Sequence, residues 1–89
     1  MVMHMISFEQ ALVIAKEKMS RFNYCEDLED VYIFGYDWGE PRYGGEGSPC
    51  VVYKKDGRAV NMPYYVMHGG KLGDNPKMIP VEEYVEEDN

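Results

Sequence analysis

Residues 50–62 read Cys50-Val51-Val52-Tyr53-Lys54-Lys55-Asp56-Gly57-Arg58-Ala59-Val60-Asn61-Met62, and the fold turns on how this stretch is read. Two β-prone runs flank Asp56-Gly57, a dipeptide that supplies the positive φ angles of a two-residue type I′ turn, so a β-hairpin is expected. That turn sets Lys55 opposite Arg58, Tyr53 opposite Val60 and Val51 opposite Met62. Val52, Lys54, Ala59 and Asn61 are left on the reverse face. The first face is expected to meet a helix.

Upstream, Ser7-Phe8-Glu9-Gln10 has capping-box spacing and starts that helix at Ser7. Phe8, Ala11, Leu12, Ala15, Met19 and Phe22 recur at helical spacing on one stripe, with Gln10, Glu17 and Arg21 opposite. Val13 and Ile14 make the apolar face wider than one solvated helix needs. Asn23 to Asp30 is polar and carries four acids, so it reads as a connecting turn. Val31 to Trp38 then alternates as a strand, with Tyr32, Phe34, Tyr36 and Trp38 on one face and Val31, Ile33, Gly35 and Asp37 on the other. Gly39 to Pro49 holds four glycines and two prolines and reads as a flexible loop.

Downstream, Pro63 interrupts the ladder, Tyr64 to His68 is β-prone and ends at Gly69-Gly70, and Gly73-Asp74-Asn75-Pro76 is a turn. Pro80 at a first helical position, followed by Val81, Glu82, Glu83, Tyr84 and Val85, predicts a short C-terminal helix. The resulting fold class is α+β: an N-terminal helix packed on a mainly antiparallel sheet of three or four strands, closed by that short helix. A chain of 89 residues supports one core, hence one domain over 1–89, with 1–5 and 86–89 flexible.

Composition narrows the function classes. With 45% hydrophobic residues and three Phe, eight Tyr and one Trp, the chain is too apolar for disorder, and no apolar run reaches membrane-spanning length. No basic residue precedes an apolar stretch of signal-peptide length, so the expected location is the cytoplasm. The net charge of −7 is unevenly spread, with residues 22–49 carrying a net −6 and residues 80–89 a net −5 around a mildly basic middle. This balance disfavours nucleic acid, whose binding depends on Lys and Arg neutralising phosphates, and suits a basic protein partner.

Catalytic and metal chemistry find little to build on. Cys25 and Cys50 lack CxxC spacing and read as reduced, buried thiols. His4 lies near the chain start and His68 reads as a strand-end residue, so no Cys/His dyad or closed zinc site is expected. Neither Gly44-Gly45-Glu46-Gly47 nor Gly69-Gly70-Lys71-Leu72-Gly73 has the P-loop pattern. The reading is therefore a non-enzymatic chain with no cofactor and no metal. The aromatics and acids beside the glycine-rich loop, Asp37, Trp38, Glu40, Tyr43 and Glu46, are the expected partner-binding residues, since exposed aromatics concentrate at binding hot spots.

The order of these segments resembles the YrhB-like immunity proteins, also called immunity protein family 35, which are associated with bacterial polymorphic toxins. The resemblance rests on the N-terminal amphipathic helix, the aromatic strand, Gly47-Ser48-Pro49-Cys50-Val51-Val52-Tyr53-Lys54-Lys55-Asp56-Gly57 and Ile79-Pro80-Val81-Glu82-Glu83-Tyr84-Val85. The stretch from Met62 to Met78 is longer than that pattern. The resemblance implies a protein that neutralises a basic toxin domain by binding it. A second resemblance, of Ile6-Ser7-Phe8-Glu9-Gln10-Ala11 followed by an Asp-Gly hairpin, is to PepSY-type domains, which are usually exported or membrane-tethered. A homodimer using Val13, Ile14 and the second sheet face is the third alternative.

Overall fold

A computed structural model describes residues 5–37, 49–71 and 76–86. The glycine-rich stretch 39–48, residues 73–75 of the expected turn, His4 and the last three residues lie outside these ranges.

Helix α1 (Phe8–Lys18) begins as its sequence dictates. The Ser7 hydroxyl accepts from the Gln10 amide at 3.1 Å, and the Gln10 side-chain oxygen accepts from the Ser7 amide at 2.9 Å. Two otherwise orphaned amides are thereby satisfied. Glu9 in the first turn and Lys16 and Lys18 in the last complement the helix dipole. Ala11 and Ala15 are fully buried, and Phe8, Leu12 and Ile14 pack beside them.

The strands among the described residues are β1 (Arg21–Phe22), β2 (Tyr24–Asp27), β3 (Val31–Gly35), β4 (Cys50–Tyr53), β5 (Ala59–Asn61), β6 (Lys77–Ile79) and β7 (Tyr84–Val85). Five of them form an antiparallel sheet in the order β5-β4-β3-β2-β6, while β1 pairs with β7 in a small second sheet. Strand alternation sends side chains to two separate cores. On the α1 side, Phe34 lies in register between Cys25 and Cys50, and its ring meets those of Phe8 and Phe22 at 6.2 and 5.3 Å. On the other side, Val31, Ile33 and Val51 are covered by Tyr65 of a second helix, α2 (Met62–Met67).

The α+β class and the N-terminal helix on an antiparallel sheet stand, while several local expectations are corrected. A short helix lies at Met62–Met67, where the sequence left a strand or a loop open. Asn61 caps it by accepting from the Tyr64 amide at 2.8 Å, and Pro63 occupies its first turn, where a missing N–H costs nothing. Residues 80–85 are not helical: Ile79 gives Pro80 no capping side chain, and Tyr84 and Val85 pair instead with Phe22 and Arg21. Tyr24–Asp27, half of the stretch expected to be a turn, is strand, because Cys25 fills the core while its polar neighbour Glu26 faces away from it.

The hairpin forms with a different turn and register. Of Asp56 and Gly57, only Gly57 has positive φ, at 77°, so the two-residue type I′ geometry is absent. The loop spans residues 54–57: the Gly57 amide donates to Tyr53 O, the Tyr53 amide donates to Arg58 O, and the Arg58 amide is held by the Asp56 carboxylate. Val51 consequently pairs with Val60 rather than Met62, a slip of two residues that keeps each side chain on its expected face. The face of Val51, Tyr53 and Val60 meets α2, and it is Cys50, Val52 and Ala59 that meet α1.

Candidate protein-binding site

Helix α2 rests on the β4–β5 side of the sheet and, among the described residues, no helix or strand covers the β2–β6 half of that face. Strand alternation places Tyr24 and Glu26 on this face from β2. Met78, in register with Glu26, joins them from β6 and is 52% exposed. Asp37 follows Gly35 beyond the end of β3. With Tyr36 these side chains line an open cleft of about 440 Å³.

Two local devices shape the cleft. Tyr24 stands opposite Gly35, and a Cβ there would collide with the Tyr24 phenol. The glycine thus lets the ring lie across the strand, where the ring shields the exposed backbone. Asn23 then extends the β2–β3 ladder with its side chain: Nδ2 donates to Asp37 O at 2.9 Å, Oδ1 accepts from the Asp37 amide at 2.8 Å, and the Asn23 amide donates to Gly35 O. Asp37 is thereby held at the foot of the segment that follows it.

The electrostatics of the cleft are negative. Burial, and then the charges of Glu26 and Asp37, raise the Tyr24 hydroxyl above the ordinary tyrosine range. Tyr36 is also raised, chiefly by the hydrogen bond its hydroxyl donates to Glu83 at 2.8 Å, while the nearby Arg21 guanidinium, 5.6 Å from its ring centre, acts in the opposite direction.

Of the residues expected from sequence, Asp37 is exposed at the cleft, and Trp38, Glu40, Tyr43 and Glu46 lie outside the described residues. Tyr24, Glu26, Tyr36 and Met78 were not singled out. The alternation Tyr24-Cys25-Glu26 carried a strand signal, but reading 23–30 as a turn hid it. Of the dimer surface considered above, Val13 is 57% exposed, whereas Ile14 packs against the α1 core and the second sheet face is half covered by α2.

A second cavity, of about 710 Å³, opens between Asp27, Asp30, Tyr65, His68 and Lys71. Two of its lining residues, Tyr65 and His68, are engaged in hydrogen bonds. The Tyr65 hydroxyl donates to Lys71 O at 2.9 Å and accepts from the Lys71 amide at 3.1 Å. His68 Nδ1 lies 2.9 Å from Tyr64 O, and the imidazole stacks on the Tyr64 ring at 3.9 Å.

The thiols are placed away from this chemistry. Cys25 and Cys50 are free and buried on the α1 side, whereas His68 belongs to the α2 layer. Phe34 lies between them in register, so the cysteines are two strand spacings apart, about 9–10 Å, beyond disulfide reach. Burial first, then Asp27 and Glu26, pushes the Cys25 thiol up to about 12, and burial also raises Cys50. Among the described residues no group of three or more His, Cys, Asp or Glu is placed to hold a metal ion, and no helix is long and apolar enough to cross a membrane.

Comparison with protein-family models, with curated proteins and with solved structures finds no match to this chain.

Proposed function

We propose that this chain is a small acidic protein-binding module that acts by occupying a basic protein partner rather than by catalysis. The cleft of Tyr24, Glu26, Tyr36, Asp37 and Met78 on the uncovered half of the sheet carries the reading. It combines aromatic and thioether surface, which favours residence, with carboxylates, which favour encounter with a positive partner. Asp37 of the cleft is followed in the chain by Trp38, Glu40, Tyr43 and Glu46, the other residues expected to bind the partner. The resemblance to YrhB-like immunity proteins makes a toxin domain the proposed partner and the cytoplasm the proposed location. A buried thiol raised to about 12 is a poor nucleophile at neutral pH, which supports the non-catalytic reading.

The test is affinity capture from the source organism with the parent chain and a Tyr24→Ala/Glu26→Lys variant in parallel. The expected result is a basic protein retained by the parent, released by salt, lost with the variant, and less toxic when co-expressed with the parent chain. Equal retention by both baits would move the interface elsewhere. Turnover of a small molecule by the purified chain would overturn the non-catalytic reading.

A further inference from the structure

We infer that the cleft on the uncovered half of the sheet is a seat for one basic side chain, arginine or lysine, presented by the protein partner; this rests on the protein-binding reading above. The argument comes from a comparison internal to the molecule. Glu26 and Asp27 are neighbours on β2 and point to opposite faces of the sheet. On the α1 side, the Asp27 carboxylate receives Lys54 Nζ at 2.5 Å, and the same ammonium sits 4.7 Å from the centre of the Tyr32 ring. Carboxylate, tyrosine ring and cation form a completed set there. On the other side, Glu26 has Tyr24 beside it and Met78 opposite, but no lysine or arginine is among the described residues lining the cleft. Among the described residues Glu26 has no ion pair. Glu26 and the Tyr24 ring thus offer a carboxylate and a tyrosine ring beside which no described residue places a cation, as Lys54 is placed beside Asp27 and Tyr32.

The shape of the cleft suits that occupant. Its volume of about 440 Å³ exceeds what one long side chain fills and leaves room for water around the charged head. The half-exposed Met78 thioether and the Tyr24 ring offer apolar surface to the aliphatic stem of lysine or arginine, which characteristically lies along such surface with its head in a polar environment. Tyrosine faces attract cations, and the chain itself places Arg21 over Tyr36 and Arg58 over Tyr64. An acidic side chain would meet the fields of Glu26 and Asp37, which already hold the Tyr24 proton more tightly. A neutral apolar side chain would leave Glu26 without a counter-charge.

The test is an NMR titration of the full chain with three capped peptides, Gly-Ser-Xaa-Ser-Gly, in which Xaa is arginine, citrulline or norleucine. Citrulline keeps the shape of arginine without its charge. The expected result is a millimolar-range interaction of the arginine peptide that shifts the Tyr24 and Tyr36 ring and Met78 methyl signals and leaves Tyr32 unmoved. Glu26→Gln, at an uncovered position, should keep the fold and weaken this binding about tenfold, equivalent to about 1.4 kcal/mol. Equal binding of the arginine and citrulline peptides, or shifts spread over Glu82, Glu83 and Glu86 instead of the cleft, would overturn the assignment. If the norleucine peptide fills the cleft as well as the arginine peptide does, the basic occupant is wrong while the protein-binding reading survives. If no peptide moves the cleft signals, the basic seat is refuted, and the capture experiment decides the broader reading separately.

Discussion

Replacing Gly57 tests how the central hairpin is held. Gly57 has φ +77°, and a Cβ built there would stand 3.1 Å from Ile14 Cδ1 and 3.6 Å from Ile6 Cγ2. The loop tip therefore presses on the start and middle of α1, and the substitution probes the turn and its packing together. Placing an L-residue in the left-handed region costs about 1–2 kcal/mol, with a β-branched residue at the upper end. Displacing the Ile14 side chain adds about 0.5–1 kcal/mol. Stiffening of the unfolded chain offsets about 0.4–1 kcal/mol. Gly57→Val should thus lose about 2 kcal/mol, and Gly57→Asn about half as much, since asparagine enters this region more readily. In urea, with a slope near 1 kcal/mol/M for a small domain, the Val midpoint should fall by about 2 M at unchanged slope. The melting temperature should fall by roughly 8–16 °C. A Val variant within about 0.5 kcal/mol of the parent, or no worse than Asn, would refute the left-handed geometry and the contact with α1.

Three further outcomes follow from the same structure. Lys54 Nζ bonds both Asp27 and Leu28 O, at 2.5 and 2.6 Å, with its side chain 14% exposed; Lys54→Met should cost about 1–3 kcal/mol in urea unfolding, tempered by water reaching the 28% exposed Asp27. Adding Asp27→Leu should recover part of that loss, and a strictly additive double variant would show that the pair is not coupled. Because the Cys25 thiol ionises near 9 when unfolded and about 12 when folded, its contribution is complete below pH 9 and is lost as pH rises from 9 towards 12, by at most about 1.4 kcal/mol per pH unit. Cys25→Ala should flatten this alkaline decline, and rapid labelling of both native thiols at pH 8 would contradict their burial. Asn23→Ala removes both side-chain bonds to the Asp37 backbone; hydrogen exchange at the Asp37 amide should accelerate at least tenfold with little loss of global stability, and unchanged protection would mean that Asp37 is positioned by other contacts.

Local chemistry settled part of this molecule before any tertiary contact was known. Ser7 and Gln10 lie within one helical turn, so their capping box, and the start of α1 with it, is written in four consecutive residues. Gly57 was legible as the left-handed position because no other residue type occupies that region as freely. The alternation of Val31 to Gly35 marked a strand with two apolar faces, and two helices cover those faces. The candidate site was less legible: sequence pointed to the acidic and aromatic stretch from Asp37 to Glu46, of which only Asp37 is described.

What tertiary structure decided were the outcomes in which local preferences compete. Asp56-Gly57 is compatible with both a two-residue and a four-residue loop; the longer loop, in which Tyr53 pairs with Arg58 and Gly57 meets Ile14, sets the register. Tyr64 to His68 has β-prone residues, but the Asn61 cap and the seat for Tyr65 over Val31, Ile33 and Val51 make it helical. Pro80 to Val85 has helical residues, but Tyr84 stacks on Phe22 at 5.2 Å and its backbone completes β1, so burial and pairing outweigh propensity. The cleft belongs to the same class of outcome. Tyr24, Glu26, Tyr36 and Met78 are spread over more than fifty residues of chain, and they share a surface only because β2 pairs with both β3 and β6 while α2 covers the other half of the sheet.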